Sequence, residues 1–123
     1  MIVPFFRLLR LLALGVGLAG GLRAQVQLTE FLASNDNGLA DEDGDRPDWI
    51  ELHNPTAQTV NLLDWSLTDD PDLPGKWRLP ATNLAAGSYL VVFASGKDRA
   101  VPGLRLHANF ALNAAGEYLA LFP

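Results

Sequence analysis

An acidic segment in the first half of the chain holds the residues best suited to bind a metal ion. Residues 41–48 carry five carboxylates, with Asp41, Asp43 and Asp45 at alternate positions and Asp48 shortly after them. Calcium takes about six to eight oxygen ligands, which flexible, carboxylate-rich loops supply. The spacing therefore predicts a calcium site formed by Asp41, Asp43, Asp45 and Asp48, with Ca²⁺ as the cofactor that it would take.

Other interpretations of this segment stay open. It is not an EF-hand, because Arg46 stands where the sharp-turn glycine belongs and Leu52 stands where the bidentate glutamate belongs. Aspartate and glycine are common turn residues, so the segment can also be a solvated acidic turn. Alternatively, Asp45 or Asp48 can cap nearby backbone amides. A second acidic group that could approach the segment in space consists of Asp69, Asp70 and Asp72.

Three glutamates lie within strand-like segments, where charge is uncommon. A pair of carboxylates can be the acid and base of a glycosidase, and Glu30, Glu51 and Glu117 are the candidates. Because a domain of this size leaves little room for a sugar-binding cleft, we interpret them as outward-facing or hydrogen-bonded structural residues. Lys97 and Arg99 are basic residues that could pair with acids across a turn.

Nucleophilic catalysis has no signature in this sequence. Ser95 lies in Ala94-Ser95-Gly96, without the Gly-x-Ser-x-Gly pattern of a nucleophile elbow. His53 and His107 are the only histidines, and neither has a cysteine or second histidine at metal-ligand spacing. We therefore predict no catalytic residue and expect the protein not to be an enzyme.

The N-terminal residues have the organisation of a secretion signal. The first ten residues hold two arginines and no acid, the run LLALGVGL (11–18) is apolar, and small residues follow. The apolar run is shorter than the roughly 20 residues that span a bilayer. We therefore predict a cleavable signal peptide over residues 1–24, although a cut after Gly21 is also compatible. A mature domain over residues 25–123, secreted or at the cell surface and without a stable membrane span, follows from this.

The charge of the mature domain disfavours nucleic acid as a partner. Removing residues 1–24 leaves six basic residues against 14 acidic ones, a net charge of −8. Binding to nucleic acid is driven largely by clustered Lys and Arg that neutralise phosphates, and here the basic residues are scattered. The chain has no cysteine, so disulfides, which often stabilise small exported domains, are not available; a bound cation or a partner domain would serve instead.

The mature chain is predicted to form many short strands. Segments rich in β-branched, aromatic and leucine residues alternate with Gly, Pro, Asn and Asp clusters, and no long stretch keeps a helical period. This pattern predicts an all-β sandwich or barrel. The predicted strands are Val26–Ala33, Asp48–Asn54, Thr59–Leu62, Trp65–Thr68, Lys76–Leu79, Tyr89–Ala94, Leu104–Phe110 and Glu117–Phe122.

Alternation along these strands predicts which side chains form the core. Ile50 and Leu52 share one face of their strand, which we expect to point inward. The nearly continuous apolar run 89–93 is expected in a central strand that is covered on both sides. The three tryptophans that could supply much of a small core are Trp49, Trp65 and Trp77.

Several segments, taken in order, resemble bacterial lamin tail domains across nearly the whole mature chain. An ordered set of matches is far more specific than any single motif. The resemblance implies an immunoglobulin-like β-sandwich, which agrees with the predicted strands. The matching segments are LTEFLASN (28–35), LADEDGDRPDWIELHNP (39–55), VNLLDWSLTDD (60–70), KWRLP (76–80), AAGSYLVVFASGKDR (85–99) and HANFALNAAGEYLALF (107–122).

The resemblance also implies a class of function. Such domains occur in exported proteins, beside modules that include hydrolases and spore-coat-protein-H-like kinases, and are regarded as adhesion or tethering units. We therefore expect a secreted or cell-surface, non-catalytic module that binds a protein or a cell-surface polymer. The alternative is a carbohydrate- or polymer-binding accessory domain of a larger extracellular hydrolase or kinase-like protein. The residues that bind the partner are not predicted.

Two features depart from the family pattern. Animal lamin tails are linked to chromatin and DNA, a role to which the charge of −8 gives no support. Family members usually continue past the strand containing GEYLALF (116–122) with a turn and a further strand, whereas this sequence stops at Pro123. Either the sequence is a piece of a longer one or a partner completes the sheet. A sheet without its final strand would leave an edge open to self-association by strand addition.

Overall fold

The computed structural model describes residues 25–116 and 118–123. The predicted signal peptide, residues 1–24, and Glu117 lie outside this described part. Within it, no helix is long and apolar enough to cross a membrane. The described strands are β1 Gln27–Leu32, β2 Asp48–His53, β3 Val60–Asn61, β4 Ser66–Thr68, β5 Trp77–Arg78, β6 Asn83–Leu84, β7 Tyr89–Ala94, β8 Leu106–His107 and β9 Ala120–Phe122.

The strands form one larger sheet and two smaller ones. The larger sheet has the order β1-β2-β7-β8, and the smaller sheets have the orders β5-β4-β9 and β3-β6. All pairs are antiparallel except β7 with β8. The three long strands β1, β2 and β7 therefore lie side by side and form one continuous surface. The prediction of an all-β fold is confirmed.

The register of the larger sheet fixes which residues point toward the core. Residues that pair directly across strands share a face. Ile50 pairs with Val92, and Leu52 pairs with Leu90. Ile50, Leu52 and Val92 are fully buried, so the inward face predicted for β2 is confirmed.

The core brings together side chains from the larger sheet and the smaller ones. Leu67 of β4, Trp77 of β5 and Leu121 of β9 belong to the same buried apolar cluster as Ile50 and Leu52. Burying a large apolar side chain contributes about 1.5–3 kcal/mol, so this cluster is a main source of stability. Of the three tryptophans, Trp77 alone is in the buried set, and the other two are partly buried.

Asn54 ties the loop after β2 and strand β6 to the core. Its side chain is fully buried. Its Nδ2 donates to the carbonyl oxygens of Gln58 (2.7 Å) and Leu84 (2.9 Å). Its Oδ1 accepts from the amide (3.0 Å) and hydroxyl (2.7 Å) of Thr56. Because buried polar groups need partners, this one side chain satisfies groups in both the loop and the strand.

Two expectations about strands need correction. The short strand β6 was not predicted, because its two residues show no alternation and pair with β3 only in the folded chain. Strand β7 is central, as expected, but it is not covered on both sides along its whole length, since Tyr89 at its start is 60% exposed.

Strand β9 lies at the edge of its sheet. The missing final strand and self-association through an edge stay predictions.

Candidate functional site

The loop between β1 and β2 folds around the side chain of Asp41. Its Oδ1 accepts hydrogen bonds from the backbone amides of Asp43 (2.9 Å) and Asp45 (3.0 Å). The backbone closes the same turn, because the amide of Asp41 donates to the carbonyl of Asp45 (2.8 Å). Gly44 has a φ of 82°, a conformation that favours glycine. The sequence thus builds a turn in which neighbouring carboxylates converge.

A lysine from a distant part of the chain lies at the centre of these carboxylates. Lys97 Nζ contacts Oδ2 of Asp41 (2.5 Å), Asp43 (2.9 Å) and Asp45 (2.8 Å). The side chain of Asp41 is fully shielded from solvent. Burial opposes its ionisation, but Lys97 and the two backbone amides outweigh burial and hold the pKa of Asp41 below its usual value. The same three carboxylates raise the pKa of Lys97.

The turn that presents Lys97 is anchored to the core. Gly96 and Asp98 on either side of it have positive φ values of 75° and 53°. Asp98 Oδ1 accepts a hydrogen bond from Nε1 of the buried Trp77 (3.0 Å). Because the tryptophan is fixed by the core, this contact holds the lysine turn in place opposite the acidic loop.

A second basic residue and a histidine complete the contacts with the loop. Arg99 contacts Oε1 of Glu42 (2.8 Å) and Oδ2 of Asp43 (2.8 Å). His107 Nε2 lies 2.9 Å from both oxygens of Glu42. The backbone amide of Glu42, His107 and Arg99 lower the pKa of Glu42 to about 2, and Lys97 and Arg99 lower the pKa of Asp43 to about 2. We call this set the ionic cluster; its members are Asp41, Glu42, Asp43, Asp45, Lys97, Arg99 and His107.

The ionic cluster extends into a serine–histidine–glutamate series. His107 is fully buried and stacks on Phe93, with ring centroids 5.1 Å apart. Its Nδ1 lies 2.8 Å from Ser95 Oγ. Because Glu42 is ionised at neutral pH, Nε2 carries a proton toward it, and in the neutral imidazole Nδ1 accepts the Ser95 hydroxyl. A nucleophile, a base and an orienting carboxylate in series form the arrangement used in covalent catalysis.

The backbone that follows Ser95 does not supply the rest of a catalytic site. Acyl transfer requires hydrogen-bond donors aimed at the developing oxyanion. The amide of Gly96 donates to the carbonyl of Phe110 (3.2 Å), and the amide of Lys97 donates to Ser95 Oγ itself (3.1 Å). Both amides are therefore engaged within the protein. This geometry supports a structural role, in which the series joins the acidic loop to the sheet.

Three of the four predicted calcium ligands are brought together, and Asp48 makes different contacts. The carboxylate oxygens of Asp41, Asp43 and Asp45 lie within 4.8 Å of one another, around Lys97 Nζ. Asp48 Oδ1 instead accepts from two backbone amides, those of residues 34 (2.8 Å) and 35 (3.4 Å). Asp48 therefore caps backbone amides, which was one of the open interpretations of this segment. Calcium binding by the other three stays a prediction, which now has to account for the lysine between them.

Lys97 and Arg99 pair with acids, as expected, but with those of the loop between β1 and β2 rather than across a nearby turn. The acids of the second predicted group pair locally. In the second acidic group, Asp69 pairs with Lys76 (2.6 Å). Asp70 Oδ1 accepts a hydrogen bond from the backbone amide of Asp72 (2.9 Å). This group forms its own turn after β4.

The larger sheet presents a second candidate surface, on the side away from the core. We call this surface, formed by β1, β2 and β7, the outer face. Direct cross-strand pairing arranges its residues in rows. None of the three strands contains Lys or Arg. The rows are Gln27–His53–Tyr89, Glu30–Glu51–Val91 and Leu32–Trp49–Phe93.

The row Gln27–His53–Tyr89 is the open end of the outer face. The rings of His53 and Tyr89 stack, with centroids 4.2 Å apart and an interplanar angle of 15°. Tyr89 is 60% exposed, and Gln27 is also exposed. At the opposite end, Phe93 is buried and stacks with His107. The ionic cluster thus adjoins the closed end of the outer face, and the stacked rings lie at its open end.

The predicted strand glutamates that the structure describes are on the outer face. Glu30 and Glu51 are direct cross-strand partners, and Glu51 Oε1 accepts a hydrogen bond from the Thr29 hydroxyl (3.0 Å). The expectation that these two residues face outward or make structural hydrogen bonds is confirmed. Glu117 lies outside the described residues.

The comparison with protein families decides which family this fold represents. The model of the family described as Lamin Tail Domain matches residues 22–122. The chain belongs to the lamin tail domain family. Searches of curated proteins and of solved structures each return no match. Lamin tail domains are immunoglobulin-like and generally non-catalytic, and the all-β arrangement of sheets described above agrees with the immunoglobulin-like sandwich that the resemblance implied.

Sequence patterns missed two features of this lamin tail domain. The series Ser95–His107–Glu42 joins three separate segments, and no spacing rule relates them. The stacked pair of His53 and Tyr89 forms because both residues lie in one row of the sheet. The sequence did hold a signal for the stacked pair, since each of these ring side chains stands near the end of a predicted strand.

Proposed function

We propose that this lamin tail domain is an exported, non-catalytic interaction module that tethers its protein to a partner through the outer face. The partner is a protein or a polymer at the cell surface. The family supports the non-catalytic part, and the signal-like residues 1–24 support export. The observation that carries the proposal is the open row of the outer face, where the exposed ring of Tyr89 stacks on the partly buried His53.

The ionic cluster is a less suitable contact surface. Its carboxylates already pair with Lys97 and Arg99, and Asp41 is shielded from solvent. A partner would have to break these pairs before it could use the charges. Surface aromatic residues, by contrast, supply contact area with few rotatable bonds to immobilise. Tyr89 therefore offers binding without the loss of an existing ion pair.

Retention on isolated cell-surface material tests the proposal. We expect the purified protein to sediment with insoluble envelope material from the source cells. Tyr89→Ala should reduce the bound fraction severalfold, and Tyr118→Ala should not. Tyr118 is the matched control, because it is 37% exposed and lies outside the outer face. Failure of the unmodified protein to sediment, or equal loss in both variants, contradicts the proposal.

Export has an independent test. Expression of the full chain in a secreting host should give an extracytoplasmic product whose first residue is Gln25, or Leu22 if the cut follows Gly21, as N-terminal sequencing would show. A product that keeps Met1 and stays inside the cell contradicts the export part and leaves the binding part open to its own test.

A second candidate function is the carbohydrate- or polymer-binding accessory domain of a larger extracellular hydrolase or kinase-like protein. The exposed ring of Tyr89 in the row next to Glu51 favours it, because sugar rings stack on aromatic side chains while carboxylates accept their hydroxyl groups. This candidate differs from the first proposal in the larger protein to which the domain belongs, which here also carries a hydrolase or kinase-like module. Sequencing of the gene beyond the codon for Pro123 tests it: an in-frame catalytic module supports it, and an immediate stop codon contradicts it.

A further inference from the structure

We infer that the open end of the outer face binds an uncharged polysaccharide whose pyranose rings present flat C–H faces, such as a β-linked glucan. The inference rests on the proposed function and names the partner class for the same surface. It follows from three observations: a preformed ring platform, hydrogen-bonding side chains beside it, and the absence of Lys and Arg from the three strands.

The ring platform is preformed. His53 and Tyr89 stack across adjacent strands, with centroids 4.2 Å apart, so one face of the Tyr89 ring is backed by the imidazole. Tyr89 is 60% exposed, which leaves other parts of the ring available to a ligand. Because stacking already restricts the tyrosine, a ligand has less side-chain freedom to remove on binding. A flat sugar ring is a suitable partner for such a platform.

Polar side chains flank the platform at distances that suit sugar hydroxyls. Gln27 is in the same row as the rings, and Glu51 is in the next row. Rows on one face of a strand are about 7 Å apart, which is close to the size of a sugar ring. Glu51 already accepts a hydrogen bond from the hydroxyl of Thr29, so its carboxylate is placed to act as a hydroxyl acceptor. The amide of Gln27 can donate and accept.

The charge of the surface disfavours an anionic ligand. Strands β1, β2 and β7 contain no Lys or Arg, and the middle row carries the carboxylates of Glu30 and Glu51. The guanidinium of Arg105 lies 6.0 Å from the ring centroid of Phe93, at the closed end rather than beside the stacked rings. An acidic polysaccharide or a nucleic acid at the open end would therefore meet the negative charge of the next row.

A basic protein segment is less well matched than a neutral glycan. The four carboxylates of the ionic cluster are already contacted by Lys97 and Arg99, so on the outer face a basic segment would have only Glu30 and Glu51 to pair with. The exposed ring of Tyr89 offers a contact that requires no charge on the ligand.

Affinity electrophoresis of the full chain tests the inference. The protein is run in native gels that contain hydroxyethyl cellulose as the neutral glucan, polygalacturonate as the anionic polymer, poly-lysine as the cationic polymer, or no polymer. We expect retardation by the neutral glucan and none by the anionic polymer. Tyr89→Ala should weaken the apparent affinity at least about fivefold, in line with the loss of one stacking contact. Tyr118→Ala should bind like the unmodified protein.

Two further measurements keep the outcome clear. Tyr89→Phe keeps the ring and should retain binding, and circular dichroism melts should show that Tyr89→Ala is folded. No retardation by the glucan, equal losses in the two alanine variants, or binding to poly-lysine instead overturns the inference. Sedimentation with envelope material without glucan binding also overturns it, but leaves the proposed function standing. If the protein neither binds the glucan nor sediments with envelope material, both the inference and the proposed function are overturned.

Discussion

Replacing Asp41 by alanine should lower the free energy of unfolding by about 2 kcal/mol. The substitution removes the acceptor of two loop amides, those of Asp43 and Asp45, and the shortest contact of Lys97. It also empties a position that is shielded from solvent. The acidic loop would then lose the side chain around which it folds.

The magnitude follows from the hydrogen bonds that are lost. Each of the two amide hydrogen bonds contributes about 1 kcal/mol net, which gives the total of about 2 kcal/mol. The contact with Lys97 adds little, because the lysine is partly exposed and keeps Asp43 and Asp45 as partners. For a domain of about 100 residues, a loss of about 2 kcal/mol lowers Tm by about 10 °C.

Thermal unfolding followed by circular dichroism measures the effect. Asp45→Ala is the matched control, because Asp45 contacts the same lysine but its side chain is 66% exposed. Exposed ion pairs contribute little to stability, so this variant should melt within about 4 °C of the unmodified protein. Equal losses in the two variants, or a decrease below about 4 °C for Asp41→Ala, would refute the assignment of Asp41 as the centre of the loop.

Three further predictions concern cations, pH and the core. In Lys97→Met, the carboxylates that surround the ammonium group lose their counter-charge. Millimolar Ca²⁺ should therefore raise the Tm of this variant more than that of the unmodified protein. If the difference in Tm between calcium and chelator is the same in the two proteins, the prediction is contradicted. The pKa values of Glu42 and Asp43 are lowered to about 2. Their contribution to stability is therefore complete above their unfolded pKa of about 4 and is lost as the pH falls toward 2. Urea midpoints should decrease over that pH range, and midpoints that do not change with pH would be inconsistent with these ion pairs. Asn54→Ala should lower the free energy of unfolding by about 3 kcal/mol, because buried carbonyls lose their donor, and a urea titration that shows a loss under about 1 kcal/mol would exclude that role.

Strands with a strong local pattern could be predicted from the sequence. The bounds of β7, Tyr89–Ala94, agree with the prediction because its apolar run is closed by turn residues at both ends. The inward face of β2 follows from simple alternation of Ile50 and Leu52. Strand β6, by contrast, has only two residues, and its pairing with β3 depends on the folded chain rather than on local composition.

The contacts of the acidic loop could be predicted only in part. Alternate spacing indicated that Asp41, Asp43 and Asp45 would converge, but it could not show that Lys97 lies among them, because the contact depends on how distant loops meet. Spacing alone groups Asp48 with them. It begins β2, and its side chain caps the amides of residues 34 and 35 instead. Local spacing therefore identified the acidic turn and missed its counter-charge.

The outer face depends on register, which the sequence does not specify by itself. His53 and Tyr89 could each be placed on a strand, but only the pairing of β2 with β7 puts them opposite one another. A shift of one residue would move Tyr89 to the inward face. The candidate binding surface is thus a product of the fold rather than of a motif.

The most direct test of the central claim is a nuclear magnetic resonance titration of the ¹⁵N-labelled protein with soluble polymer released from the cell envelope. If the outer face is the interaction surface, the largest shift changes should fall on Gln27, His53 and Tyr89 and their neighbours in β1, β2 and β7. Changes confined to the ionic cluster or to the sheet of β4, β5 and β9 would contradict it.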